Sequence, residues 1–489
     1  MKGLSLFANV GIAETYLAEL GVDIVIANEL LTKRALFYAY SHKCEVILGK
    51  EDKNNTLFHK YKENVQKFYQ DNTFLPLKNH IMINGDITEP EVFKTIINKA
   101  KEHNSQNGGP IDFLMATPPC QGMSLAGSGR RLEEGDPRNK LIIHAINAIL
   151  EIKPKYFLIE NVPEMLKHSI TVNNENIKII DYIQNKISDL YNFNETNEGI
   201  GQVANSADYG TPQSRKRAFI LGVRKDVAQA NNFTWHIPNE KQDIITVRDA
   251  IGKLPSLESS QTSSLKWHKA KKHNEKHIEW MKNTPTGQTA FNNDNKEHTP
   301  YTSINIGTKK GAMFNNNILV DLNGQVIKVS ATNENDWWVD PCGRPVYLED
   351  DIIELGDKYA LKIKERDGKI YFSKHKDAIE VKKTISGYKT TYKRMEWDKP
   401  APTITMGNGS ISSQNNVHPG NKLKDGTYDN ARVLTLREIM ILTGLNPDLW
   451  RVPEMNKDIA DENTIRHVIG ECIPPNLIKS IVQEIFKNT

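Results

Sequence analysis

The chain has 489 residues, 38% hydrophobic and 25% charged, a composition that fits a globular protein with a large core and two or three domains. No run reaches the ~18 apolar residues of a membrane span, and Asn9, Gly11 and Glu14 break the apolar start a secretory signal needs, so the cytoplasm is the expected compartment. The net charge of +3 is too small to imply a partner, although residues 241–400 hold 27 Lys/Arg against 22 Asp/Glu and lean toward a polyanion.

In chain order, GLSLFA (3–8) reads as a strand and IAETYLAELG (12–21) as a helix ending at Gly21. Strands follow at VDIVIANE (22–29), HIMINGD (80–86), IDFLMA (111–116) and KYFLIE (155–160). Their nearly continuous apolar character suits a parallel sheet buried on both faces. Residues 50–79 are polar and look like an insertion. In RNKLIIHAINAILEI (138–152), Ile142, Ala145, Ile146 and Ile149 form a helical stripe that Pro154 stops, and RAFILGVRK (217–225) is one more strand. The alternation predicts a doubly wound α/β catalytic domain over 1–245.

Beyond about 245, GQVIKVSA, KYALKIKERDGKIYF and EVKKTISGY alternate with period two around glycine turns, which predicts a smaller, mostly β domain over 246–430. VLTLREIMILTGL and IPPNLIKSIVQEIF read as helices, so 431–489 is expected to form a hinge and return to the first domain. There is no CxxC pair among Cys44, Cys120, Cys342 and Cys472, which argues against a zinc knuckle or a disulfide framework. His273 and His277 lack an evident third ligand, and no metal site is expected.

Four segments carry chemistry. The Ala8-Asn9-Val10-Gly11 turn follows the first strand, and Glu29 ends the second strand eighteen positions after Gly11. That is near the ~20-residue spacing at which a carboxylate takes ribose hydroxyls. Asp86 ends a third strand, at a place where it can meet an adenine amino group. The missing phosphate-cradling glycines favour a cofactor without pyrophosphate, such as S-adenosylmethionine; ordinary turn chemistry also accounts for this stretch. Next, ATPPCQGMS (116–124) fixes Cys120 at a strand end behind two prolines. A glycine-bearing loop with Arg130 and Arg131 follows, suited to swing as a lid over phosphates; a buried structural thiol is the other reading of Cys120. Third, Glu160 tips an apolar strand, where desolvation raises a carboxyl pKa and permits proton donation; a solvated carboxylate is equally compatible. Fourth, Arg215 and Arg217 project to one side as a strand begins, suited to a carbonyl oxygen or phosphates, or to a plain basic face.

Together these segments resemble the DNA (cytosine-5)-methyltransferase family, over most of the chain and in the family's motif order. FANVG resembles the cofactor loop, GDI the adenine contact, PPCQGMS the nucleophile loop, ENV (160–162) the acid and QSRKR (213–217) the QxRxR motif. DPRNKL (136–141), TVRDAIGKLP (246–255), WDKPAPTIT (397–405), HP, RVLTLRE and GECIPP (470–475) resemble the remaining motifs. Two stretches depart from the family pattern. Ser5 and Asn9 differ from its DLFAGxGG loop, and Glu471 stands where its GNxVPP motif has Asn.

The resemblance implies a Rossmann-like S-adenosylmethionine-dependent sheet with a target-recognition domain. It also implies methyl transfer to carbon 5 of a flipped cytosine in double-stranded DNA, giving S-adenosylhomocysteine. Cys120 would add to carbon 6, Glu160 would bond N3, Arg217 would hold the carbonyl oxygen, and Arg215 would support the loop or a phosphate. The cofactor residues would be Phe7, Ala8, Val10, Gly11, Ile12, Glu29, Asp86, Ile87, Pro118, Leu141, Cys472 and Ile473. DNA would meet Gln121, Ser124, Arg130, Arg131, Arg138 and Asn161, with KWHKAKKH (266–273) and the basic run from Lys382 to Arg394 as further phosphate contacts. A partner restriction endonuclease, a monomeric state and association with the nucleoid are expected by the same analogy. The rival within the family is methylation of cytosine in tRNA; the ~180 residues between QSRKR and WDKPAPTIT favour DNA readout.

Overall fold

The computed structural model describes residues 1–63, 76–119, 137–293, 392–413, 415–454 and 456–487, and between 294 and 391 only the backbone of six strands. The core is a mixed sheet formed by β1 (Lys2–Leu6), β2 (Asp23–Glu29), β3 (Glu45–Leu48), β4 (Ile81–Asn84), β5 (Phe113–Ala116), β6 (Tyr156–Asn161), β7 (Tyr191–Phe193), β8 (Gln202–Asn205) and β9 (Lys216–Arg224). Their order is β8-β9-β6-β5-β1-β2-β4-β3, with β7 also on β9. β1 to β6 run parallel, and β9 is antiparallel to β6.

Alternate strand residues feed two faces, as the two-residue period requires. Leu4, Leu6, Leu114, Phe157 and Ile159 pack against helices Pro90–His103, Leu141–Ile152 and Ile179–Ile187. Phe113, Met115, Leu158, Phe219 and Leu221 face Trp235 and the last helix, Pro475–Lys487, and Trp235 Nε1 donates to the Ile481 carbonyl at 2.9 Å. Helix Thr32–His42 covers the same side further along. The sheet is doubly wound, as the sequence predicts.

One expectation needs correction. Residues 12–21 do not form an α-helix: only Leu17–Leu20 are helical, as a 3-10 turn. Phe7, Asn9 and Gly11 all adopt positive φ, at 58°, 50° and 77°, so the chain enters this stretch from a left-handed loop. Its bonds, such as Thr15 N–H to Ile12 O and Leu17 N–H to Glu14 O, then span three residues rather than four.

Within the expected 246–430 domain, strands and flanks differ in their partners. A six-stranded antiparallel sheet spans residues 317–374. Residues on either side belong elsewhere: Val247, Ile251, Met395, Trp397 and Ile404 share one core with Leu436, Ile439 and Val468, and Met281, Ile411 and Val417 pack with Val433. The return of the chain to the first domain therefore involves both flanks of the β sheet.

Candidate active site

The carboxyl ends of β1, β2, β4, β5 and β6 lie along one sheet edge, where doubly wound folds hold their ligands. After β1, Ala8 N–H bonds to Asn28 O at 3.0 Å and Gly11 N–H to Ala8 O at 2.9 Å, which closes the turn. A Cβ on Gly11 would collide with the His42 and Tyr38 rings, and the φ of 77° disfavours any side chain there. His42 Nε2 sits 2.9 Å from Gly11 O. Burial lowers its pKa to about 4, so the ring is neutral and Nε2 donates. Ala8, Val10 and Ile12 are buried in the core, so this loop offers mainly backbone to a ligand.

Glu29 is buried, with Oε2 accepting from Asn9 N–H at 3.0 Å and Oε1 from Leu31 N–H at 2.9 Å. Burial raises its pKa, while the Leu31 N–H bond and the Arg34 charge pull it down. Leu30, beside it, is 55% exposed, which offers an apolar face next to the carboxylate. At the end of β4, Asp86 Oδ1 accepts from Thr88 N–H and Oγ1, while Ile87 is buried. This set of a fixed carboxylate, an apolar ledge and a second strand-end acid fits a nucleoside. S-adenosylmethionine would be held by Glu29 at its ribose and by the Asp86–Ile87 turn and Leu30 at its adenine. Leu141 begins its helix half-buried.

Glu160 and Arg217 meet at the far end of the same edge, on β6 and β9. Arg217 Nε lies 2.9 Å from Glu160 Oε1, and its side chain is 14% exposed against 7% for Glu160. Burial raises the Glu160 pKa, and the two guanidiniums, Arg217 and Arg215, oppose it. The carboxyl is thus a buried acid that keeps a proton more readily than an exposed one.

Arg215 is 4% exposed and committed inward. It donates to the carbonyls of Ile404 at 3.2 Å, Gly470 at 3.2 Å and Glu471 at 2.9 Å. Arg215 pins the returning segments to the sheet, which agrees with the loop-support alternative rather than with a phosphate contact. For Asn161 the expectation is a DNA contact. It is buried, its Nδ2 donates to Pro118 O at 3.0 Å, and its Oδ1 accepts from Val162 N–H. It ties the segment after β5 to β6, since Pro118 is itself buried. Cys472 and Ile473 are buried near this point; burial pushes the Cys472 thiol up to about 12, and Arg215, Arg217, Glu471 and Glu160 surround it.

Arg138 is exposed. Cys120, Gln121, Ser124, Arg130 and Arg131 lie outside the described residues. In the 266–273 stretch, Lys266 pairs with Glu454 at 2.6 Å, His268 bonds Thr435 and Pro255, and His273 Nε2 accepts from Val433 N–H. Lys269 and Lys272 remain exposed. Arg394 is fully buried on the carbonyls of Met281, His418 and Asp429, so the expected phosphate contact does not extend to it.

Sequence reasoning missed Leu30, His42 and Arg34. An apolar residue directly after a strand-end acid was the one available signal, for Leu30. The other two sit on the helix after β2 and reach the loop only in three dimensions.

This edge, with one carboxylate fixed at the end of β2 and another buried beside a guanidinium, belongs to a Rossmann-like sheet of the methyltransferase kind. Comparison with known proteins narrows the class. A model of the C-5 cytosine-specific DNA methylase family matches residues 48–487. The chain is 36% identical over 488 residues to the Type II methyltransferase M1.HgaI of Avibacterium volantium, covering 99% of this chain and 98% of that one. It is 31% identical over 180 residues to M1.HphI of Haemophilus parahaemolyticus, 36% of this chain and 43% of that one. Among solved structures, DNMT2 of Spodoptera frugiperda aligns with 99% of both chains, at 13% identity and a TM-score of 0.44. The chain belongs to the C-5 cytosine-specific DNA methylase family. It is a DNA cytosine-5 methyltransferase, and methylation of DNA is favoured over methylation of tRNA.

Proposed function

We propose that the enzyme methylates a flipped cytosine within one short DNA sequence, through a covalent adduct of Cys120. The observation that carries this reading is the buried Glu160–Arg217 pair at the end of β6 and β9, 2.9 Å apart. Carbon 5 of cytosine is a weak nucleophile inside its aromatic ring. Addition of the Cys120 thiolate to carbon 6 breaks the conjugation and makes carbon 5 enamine-like. Glu160, a buried acid, bonds N3 and offsets the charge that develops there. Arg217 orients Glu160 and holds the base's carbonyl oxygen. S-adenosylmethionine supplies the methyl group, with Glu29 at its ribose. After transfer, a base removes the carbon 5 proton and the Cys120 sulfur leaves with its bonding electrons. A target base inside a duplex has to leave the stack to reach this edge.

Arg215 and Asn161 act as positioning residues. Gln121, Ser124, Arg130, Arg131 and Arg138 are proposed to meet DNA, and residues 317–374 to form the body of the target-recognition domain. By analogy with the Type II relatives, a cognate endonuclease shares the recognised sequence. No helix among the described residues is long and apolar enough to cross a membrane, and we place the enzyme in the cytoplasm with the nucleoid. Bisulfite sequencing of DNA from cells expressing the protein tests the reading. One short motif is methylated with the wild type and none with Cys120→Ala; methylation that persists in the variant removes Cys120 from its role.

A further inference from the structure

The two stretches that depart from the family pattern touch each other. Asn9 Nδ2 donates to Glu471 Oε2 at 3.1 Å, across 462 residues of chain. Arg34 Nη2 pairs with the same oxygen at 2.7 Å, and both side chains of that pair are about one-fifth exposed. His467 Nδ1 lies 3.3 Å from Arg34 Nη2. The backbone of Asn9 continues the line, since its N–H donates to Glu29 Oε2 at 3.0 Å.

Asn9 stands where the family pattern has Gly, and its φ of 50° lies in the left-handed region, which Asn enters more readily than other residues that carry a side chain. The Glu471 carboxylate tethers its amide there. Glu471 in turn adds a negative charge near Glu29, which raises the Glu29 pKa, while Arg34 lowers it. The two departures are therefore coupled through one contact, with Arg34 offsetting the added charge.

We propose that Asn9, Glu471 and Arg34 form a latch that aims the Glu29 carboxylate at the ribose hydroxyls of the cofactor. Asn9 and Glu471 are positioning residues that act through Glu29. The latch also joins the first strand's loop to the end of helix Glu462–Glu471, so the cofactor loop is set only when the returning chain is in place. The latch rests on Glu29 being the ribose ligand of S-adenosylmethionine.

The test is titration calorimetry of the full chain with S-adenosylhomocysteine and with its 2′-deoxy analogue. The variants are Asn9→Gly, Glu471→Asn, their double and Glu471→Gln, each also followed by thermal melting. The wild type is expected to bind the parent at least tenfold more tightly than the deoxy analogue. In Asn9→Gly and Glu471→Asn that ratio falls toward one. The double binds no more weakly than the weaker single, and Glu471→Gln keeps an intermediate ratio. The melting comparison separates loss of the latch from loss of the fold. The double, which restores the family's residue types, serves where a single fails to fold.

A wild type that binds neither ligand overturns the cofactor reading itself. A wild type that binds both equally overturns the ribose role of Glu29 and, with it, the latch. Retention of the full ratio in the folded Asn9→Gly and Glu471→Asn variants, or additive losses in the double, overturns the latch alone.

Discussion

At the scale of single residues, burial sets the chemistry of several acids on the catalytic sheet. Glu160 is the functional case in the mechanism proposed above. Glu160→Gln keeps the shape and most hydrogen bonding but removes the proton that the proposed bond to N3 uses. We expect kcat to fall about 10²- to 10⁴-fold with S-adenosylhomocysteine affinity unchanged, measured by steady-state kinetics and calorimetry. Glu14 is a structural case. Burial raises its pKa from 4.5 to about 7, against the bond from Ser5 Oγ at 2.5 Å. A carboxyl with a raised folded pKa binds more protons folded than unfolded between those two values. Stability therefore falls as pH rises through that window. Glu14→Gln is expected to abolish that fall, by on the order of 3 kcal/mol at pH 8; denaturant melts across pH 4–8 check it. Ser5 replaces the family's Asp at just this point, and the Ser5–Glu14 bond gives the departure a local partner.

At the scale of elements, a buried ion pair braces the start of the returning segment. Arg432 donates to Glu438 through both terminal nitrogens at 2.8 Å, and both are essentially unexposed. Burial opposes the Glu438 charge, but Arg432, His418 and the Thr435 N–H hold its carboxyl well below the usual range. Glu438 also closes the capping box that starts helix Leu436–Leu442. Removing one partner of such a pair leaves a buried, unmatched charge. Arg432→Ala is expected to destabilise by about 3–5 kcal/mol, more than the same change at an exposed pair such as Arg248–Asp398, as denaturant melts of the two variants would show. Because the folded Glu438 pKa is depressed, its contribution is present above the unfolded value and is lost as pH falls below it.

Element by element, β1, β2, β4, β5 and β6 were legible because buried strands have long apolar runs and end at polar residues such as Glu29 and Glu160; β3 (Glu45–Leu48) was not, because four residues at the end of the sheet make too short a run. The helix expected over 12–21 was not, because its amphipathic pattern says nothing of the left-handed entry through Phe7, Asn9 and Gly11. Arg215 and Asn161 were placed on this edge, but their backbone partners were not legible. Their acceptors lie 189 to 256 and 43 residues away, beyond any local pattern.

At the scale of the whole molecule, the chain builds a sheet and leaves it for the β strands of 317–374. It then returns to pack against the first sheet, with the last helix, Pro475–Lys487, on one face. The return was legible because VLTLREIMILTGL and IPPNLIKSIVQEIF restore a helical pattern after the period-two stretches. Within 247–293 and 392–430, apolar residues pack with the return segment, a long-range contact that no local pattern announces.

The central claim is that a single thiol bonds transiently to cytosine at this sheet edge. Intact-mass analysis of the protein mixed with S-adenosylmethionine and a duplex carrying 5-fluorocytosine in its recognised motif tests it most directly. The fluorine cannot leave as a cation, so the adduct persists. A stable species of protein plus one DNA strand is predicted for the wild type and none for Cys120→Ala; efficient methylation of normal duplex with no trapped species would contradict the account.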